Sequence, residues 1–191
     1  VPDSIDTYAR MSQMSQAEAF KYFIERFRTA KWNKTGIIWW NVLDGWQQVS
    51  DAVVNYNFRP KLAYSFIRRA QEPVLMAFSD PQQDGRYDLH AVNDTQTAVV
   101  LTYQVRDLCG ASSQESAPLL LSGTMTVPAD GNTVAARLDL TGRLDHVLHI
   151  RWTDADGNTH TSHYIAEPKH LEYRPYADAL RLCGFDCFAG F

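Results

Sequence analysis

Two kinds of hydrophobic spacing divide this chain. Up to about residue 72, apolar positions recur three and four apart. Ala17, Phe20, Phe23, Ile24 and Phe27 form one such stripe, with Lys21, Glu25, Arg26 and Arg28 on the other side. That spacing predicts a helix from about Gln16 to Thr29, opened by a capping box at Ser15–Glu18 and broken by "NKTG". The run "IIWWNVL" follows, apolar on both faces and rich in β-branched and aromatic residues. It predicts a parallel strand covered on both sides. After the loop "DGWQQVSDAVVNYNF", Pro60 marks a first helical turn. Leu62, Ala63, Phe66, Ile67 and Ala70 are the stripe of a second helix, which Pro73 ends. Helix, strand, loop and helix make a fragment of an α/β pattern.

From residue 73 to about 168 the period changes. Seven short runs, from "PVLMAFS" to "THTSHYIAE", alternate with turn signals such as "DPQQDG", "NDT", "PADG" and "DADG". This punctuation predicts an immunoglobulin-like antiparallel sandwich. A short helix over about Tyr176–Leu182 and the tail "GFDCFAGF" complete the chain. The predicted fold class is therefore mixed: a partial α/β unit over 1–72, then an all-β sandwich with a terminal helix over 73–191.

Composition narrows the function classes. The 191 residues carry a net charge of −4, with no basic excess of the kind that binds nucleic acid. No apolar run is long enough to span a membrane, and no secretory leader pattern is present. The start "VPDS", without Met, fits a processed chain or a portion of a longer one. Three cysteines, Cys109, Cys183 and Cys187, give no paired framework and no CxxC spacing, so they read as core or incidental thiols.

Signals for chemistry are sparse. There is no GxSxG, no phosphate-binding glycine loop and no HExxH. His146/His149 and His160/His163 are spaced three apart, which on a strand sends each pair to opposite faces. No metal or cofactor is expected. "DADG" reads as a hairpin turn, because the closing Glu of a calcium loop is missing. Asn33 and Asn93 match the glycosylation triplet, a pattern frequent by chance. Glycoside cleavage commonly uses two carboxyl groups, about 5 Å or about 6.5–9.5 Å apart. None of Glu18, Glu25, Glu72, Glu115, Glu167 and Glu172 follows an apolar strand; Asp44 alone does.

Trp39 and Trp40 should face opposite sides of their strand. Both can be core. Alternatively, Trp40 with Asn41, Asp44 and Trp46 makes an aromatic floor edged by polar groups, suited to the C–H face and hydroxyls of a sugar. Trp152 reads as sandwich core.

The stretch "GIIWWNVLDGWQQVSDAVVNYNFRPKLAYSFIRRAQEPV" (36–74) resembles the end of the catalytic barrel in glycoside hydrolase family 2, its β-mannosidase-like branch above all. There the eighth barrel strand ends in Trp-polar-x-x-Asp-x-Trp-Pro, and an immunoglobulin-like sandwich follows. Trp40, Asn41, Asp44 and Trp46 match that pattern, and Arg59, Pro60, Lys61, Ala63 and Tyr64 match the next helix start. Gln47 replaces the usual proline and Asn55 an aspartate, departures that bear on the subfamily and hence on the sugar.

The resemblance implies a retaining exo-β-glycosidase whose catalytic glutamates lie on the fourth and seventh barrel strands. It also implies a cis peptide after Trp40. On this reading the chain supplies substrate-binding residues Trp40, Asn41, Asp44 and Trp46 but no catalytic residue, and alone is inactive. Its partners are a terminal β-linked sugar and the remainder of the parent barrel; a periplasmic or secreted bacterial setting is the family's implication. A lone barrel strand cannot close a barrel. Residues 1–72 are therefore expected to pack back on the sandwich, to pair with another copy through exposed barrel surface, or to be poorly ordered. The alternative function is a non-catalytic carbohydrate-binding or interaction sandwich.

Overall fold

Along β3 (Val99–Asp107) every second side chain is buried: Leu101, Tyr103 and Val105 face inward while Val100, Thr102 and Gln104 face out. This period-two burial is what a half-covered sheet imposes. In the computed structural model, which describes residues 2, 4–140, 142, 144–169 and 172–185, β3 is central in a four-stranded sheet ordered β4–β3–β6–β7. The others are β4 (Leu119–Val127), β6 (His146–Thr153) and β7 (Thr159–Ala166). A second sheet is ordered β1–β2–β5, from β1 (Val74–Phe78), β2 (Tyr87–Asn93) and β5 (Asn132–Leu138). All pairings are antiparallel.

Leu75, Leu89, Leu101, Leu148, Ile150 and Trp152 pack between the sheets. Tyr103 ties the sheets together: its hydroxyl donates to the Ala135 carbonyl of β5 at 3.2 Å. Its ring covers Gly123 of β4, where a Cβ would sit 2.8 Å from that hydroxyl oxygen. Glycine there makes room for the tyrosine. Trp152 is core, as its sequence context indicated.

The turns use their polar residues locally. Asp154 accepts from the Asp156 and Asn158 amides at 3.0 and 2.9 Å and from the Asn158 side chain at 3.0 Å. Gly157 takes the left-handed φ of +83° that closes this hairpin. Asn93, one of the two glycosylation triplets, is fully buried and donates to the Thr97 and Pro128 carbonyls at 2.8 and 2.9 Å. It is a structural clasp, with no room for a glycan.

The helical half departs from expectation in two ways. First, α1 runs over Ile5–Thr29, beginning eleven residues before the predicted start. Ser4 is the true cap, its hydroxyl accepting from the Thr7 amide at 3.1 Å. No Gly or Pro interrupts residues 5–15, so helix propagates through them and Ser15–Glu18 becomes interior. Second, "IIWWNVL" forms no strand. It is tethered by isolated bridges, Leu43 to Val54 and Val54 to Pro60, with the Val54 amide donating to Val42 at 2.9 Å. A strand needs lateral partners for its backbone groups. Among the described residues no neighbouring strand lies beside it, and no barrel is closed.

Helix α2 (Leu62–Ala70) starts two residues after Pro60, and its Leu62 amide is capped by the Gln13 side chain of α1 at 3.3 Å. Helix α3 (Tyr173–Leu182) begins three residues earlier than predicted. A second core of Met14, Ala17, Phe66, Ile67, Val147 and Leu180 joins the three helices to the outer face of the four-stranded sheet. Cys183 is buried in it, Cys109 is exposed, and Cys187 lies outside the described residues, as does most of the tail. No helix among the described residues is long and apolar enough to cross a membrane.

Of the three arrangements expected for residues 1–72, packing onto the sandwich is the one observed. Arg28 donates to the carbonyls of Ala70 and Glu72 at 2.7 Å each, and to Asp94 at 2.8 Å. Lys31 pairs with Asp94 and Asp130, and Asn132 donates to the Thr29 carbonyl at 2.6 Å. Deeper in the interface, Glu18 accepts from His163 and from the Tyr176 hydroxyl. Lys21 pairs with Glu25 at 2.9 Å, and Ser162 donates to Glu25 at 2.9 Å. Burial alone would raise the Glu18 carboxyl; His163 and Lys21 beside it, with the two hydrogen bonds, bring it down to about 2. His163 Nδ1 has no partner, so Nε2 carries the proton given to Glu18 and the ring is neutral.

Two outcomes follow for stability. Arg28→Ala strands buried carbonyls at the α2–β1 junction and should cost about 2–4 kcal/mol, read from the urea midpoint. Arg28→Lys should not restore it, because one ammonium cannot span that fork of acceptors. Burial lowers His163 below its ordinary value and, with the His163 ring and the Arg69 guanidinium nearby, brings His149 down to about 4. The unfolded chain takes up these protons near pH 6.5 and the folded one does not. Stability should therefore be complete above pH 6.5 and fall as pH drops toward 4, His149 accounting for roughly 3 kcal/mol. Urea midpoints between pH 7 and 4.5 test this, and His149→Gln should flatten the profile.

Candidate functional site

Residues 40–54 owe their shape to one carboxylate. Asp44 is buried, accepts a hydrogen bond from Ser50, and pairs with Lys61 Nζ at 3.3 Å. Lys61 also donates to the Ser50 carbonyl at 3.2 Å. Burial would raise the Asp44 carboxyl, but the Ser50 hydroxyl and the Lys61 ammonium outweigh it and hold the group below the usual carboxylate range. Asp44 is therefore an anion at neutral pH and acts as the clasp of its loop. The Ser50 hydroxyl oxygen, in turn, accepts from the Ala52 amide at 3.1 Å.

The adjacent indoles occupy different surroundings. Trp39 packs on Phe20 of α1, ring centroids 5.4 Å apart, at the margin of the helical core. Trp40 is 77% exposed and lines a groove of about 660 Å³ with Tyr8, Met11, Phe20 and Asp51. The Trp40–Asn41 peptide is cis. Asn41 Oδ1 is buried with no hydrogen-bond partner, a condition that protein acceptors seldom keep. Trp46 is 65% exposed. The four residues singled out in the sequence thus divide: Trp40 on a groove, Asn41 with an idle acceptor, Asp44 inside an ion cluster, Trp46 toward solvent.

Sequence reasoning missed Lys61 and Ser50 as the partners of Asp44. Lys61 stood out only as part of a helix-start pattern, and nothing in a lone serine announced its role. The histidine pairs split as the strand offset required: His160 reaches Glu72 at 2.7 Å, while His163 reaches Glu18. His146 pairs with Asp107 at 2.7 Å. No group of three or more His, Cys, Asp or Glu arranged to hold a metal occurs among the described residues.

No family model matches the chain. Individual proteins do. β-Mannosidase B of Aspergillus oryzae is 24% identical over 193 residues, covering 91% of this chain and 22% of that protein. Among solved structures, the β-D-mannosidase of Dictyoglomus thermophilum superimposes with a TM-score of 0.71 at 21% identity, over 90% of this chain and 21% of that one. The exo-chitosanase of Amycolatopsis orientalis gives a TM-score of 0.65 at 20% identity, over 87% of this chain and 20% of that one. The chain spans about a fifth of the length of the relatives it matches. Sequence and fold agree in relating it to a C-terminal portion of the β-mannosidase-like glycoside hydrolases.

Proposed function

We propose that this chain forms one wall of the terminal-sugar subsite in a retaining exo-β-glycosidase of family 2, β-mannosidase-like, and that the acid and nucleophile belong to polypeptide outside it. The observation that carries this reading is the exposed Trp40 ring on its groove, beside an asparagine acceptor without a partner. An indole face can stack on the C–H face of a pyranose, and on this reading the partnerless Asn41 acceptor is kept for a sugar hydroxyl. Asp44 acts from behind, holding the loop that carries both.

The glutamates support the second half of the proposal. Glu18, Glu25, Glu72 and Glu167 are each engaged, with His163, Lys21, His160 and Tyr87 respectively. Glu115 and Glu172 are exposed and stand on different parts of the chain. None of these arrangements resembles an acid and a nucleophile facing one bond. A second reading, a sugar-binding sandwich independent of any barrel, draws on the completeness of the two-sheet core.

Three outcomes test these readings. The chain alone should not turn over aryl β-mannoside or aryl β-galactoside; turnover would overturn the absence of a catalytic pair. Titration with methyl β-mannoside should shift the Trp40 indole N–H resonance, and Trp40→Ala should abolish binding. Shifts confined to sandwich strands would favour the second reading instead. Asp44→Ala should speed amide exchange at Val53 and Val54 by roughly tenfold or more. It should also weaken the Trp40 response while leaving the sandwich folded.

A further inference from the structure

On the outer face of the β4–β3–β6–β7 sheet is a recess of about 150 Å³ lined by Gln104, Arg106, Gln114, Glu115, His149 and Arg151. Gln104 pairs across the strands with Arg151, and Arg106 with His149, so four of the six are cross-strand neighbours on one face. Their donors are largely idle. The Arg151 side chain makes no hydrogen bond or ion pair, that of Gln104 makes no hydrogen bond, and Arg106 spends one nitrogen on the Ala117 carbonyl at 2.7 Å. His149 is buried, and its Nε2 has no partner.

Two guanidinium groups with several free N–H donors surround a space equal to roughly five waters, given about 30 Å³ for each. Against them stands one carboxylate, Glu115, which forms no ion pair with either arginine within 4.0 Å. The charge balance of the recess is therefore positive by one. Planar arginine forks match the oxygens of carboxylate, sulfate and phosphate. A sugar ring has no charge to answer that excess.

We propose that this recess is a binding site for a small oxyanion, held by Arg106 and Arg151 with Gln104 and the idle His149 nitrogen completing the shell. The site is independent of the Trp40 groove and of the function assigned to it. Because both arginines lie near solvent, binding is sensitive to ionic strength.

The test is a titration of the full chain with inorganic phosphate, sulfate and acetate, each at constant ionic strength set with sodium chloride. The readout is backbone, arginine Nε–H and histidine ring resonances. Saturable shifts at Gln104, Arg106, His149 and Arg151 with at least one of the three anions are expected. Arg151→Gln, a change at an exposed residue, should weaken that binding roughly tenfold, which is about 1.4 kcal/mol. Glu115→Gln should tighten it about threefold, since a like charge leaves the rim. Arg174→Gln, an exposed arginine on α3, should change nothing. Shifts no larger than those chloride produces, or equal affinity in Arg151→Gln and Arg174→Gln, would overturn the proposal.

Discussion

Glu18 and Glu25 lie seven residues apart on α1, two turns along one stripe, and both carboxylates are committed to the sandwich. Removing charge from water is expensive, so a helix face carrying Glu, Lys and Glu is buried only if every charge finds a partner. Here Lys21 answers Glu25, Ser162 and His163 of β7 answer both acids, and Tyr176 of α3 completes the set. This cluster fixes the rotation and height of α1 on the sheet. Phe20, on the same helix, is thereby set against Trp39, and the groove walls at Tyr8 and Met11 are set against Trp40. The apolar core of the helical half would tolerate sliding; the polar cluster would not.

Much of the architecture was legible because it follows from period. Alternation marked the seven strands, and the three- and four-residue spacing marked the helical stripes of α1 and α2. The failures have physical causes. Ser15–Glu18 satisfies the pattern of a cap, but a cap forms only where the preceding residues leave helix, and residues 5–15 have no reason to do so. Glu18 was thus read as a cap or surface residue when it is a tertiary contact 145 positions from its histidine partner. "IIWWNVL" has the composition of a strand, yet a strand is defined by its neighbours. Composition describes what a segment is suited to, and pairing decides what it does.

The candidate site was legible in part. The segment containing Trp40, Asn41, Asp44 and Trp46 stood out by residue type alone, and its likeness to one glycosidase pattern was specific. The division of labour within it was not legible. Asp44 has the chemistry of a ligand-binding carboxylate, but Lys61 and Ser50 surround it, so its contribution is made through the loop. That distinction depends on burial and on two partners six and seventeen residues away, which spacing does not encode. The recess on the outer face of the four-stranded sheet shows the converse: Gln104, Arg106, His149 and Arg151 carry no motif, and only the register of β3 against β6 assembles them.

The contrast between Trp39 and Trp40 has a consequence for recognition. One ring is anchored among helix side chains and its neighbour stands in the open, so the exposed ring is mounted on backbone that is already fixed. A flat surface presented in this way surrenders little freedom when something settles on it. On the proposed reading of Trp40, the stiffness needed for capture is supplied in advance by Trp39, which does not line the groove.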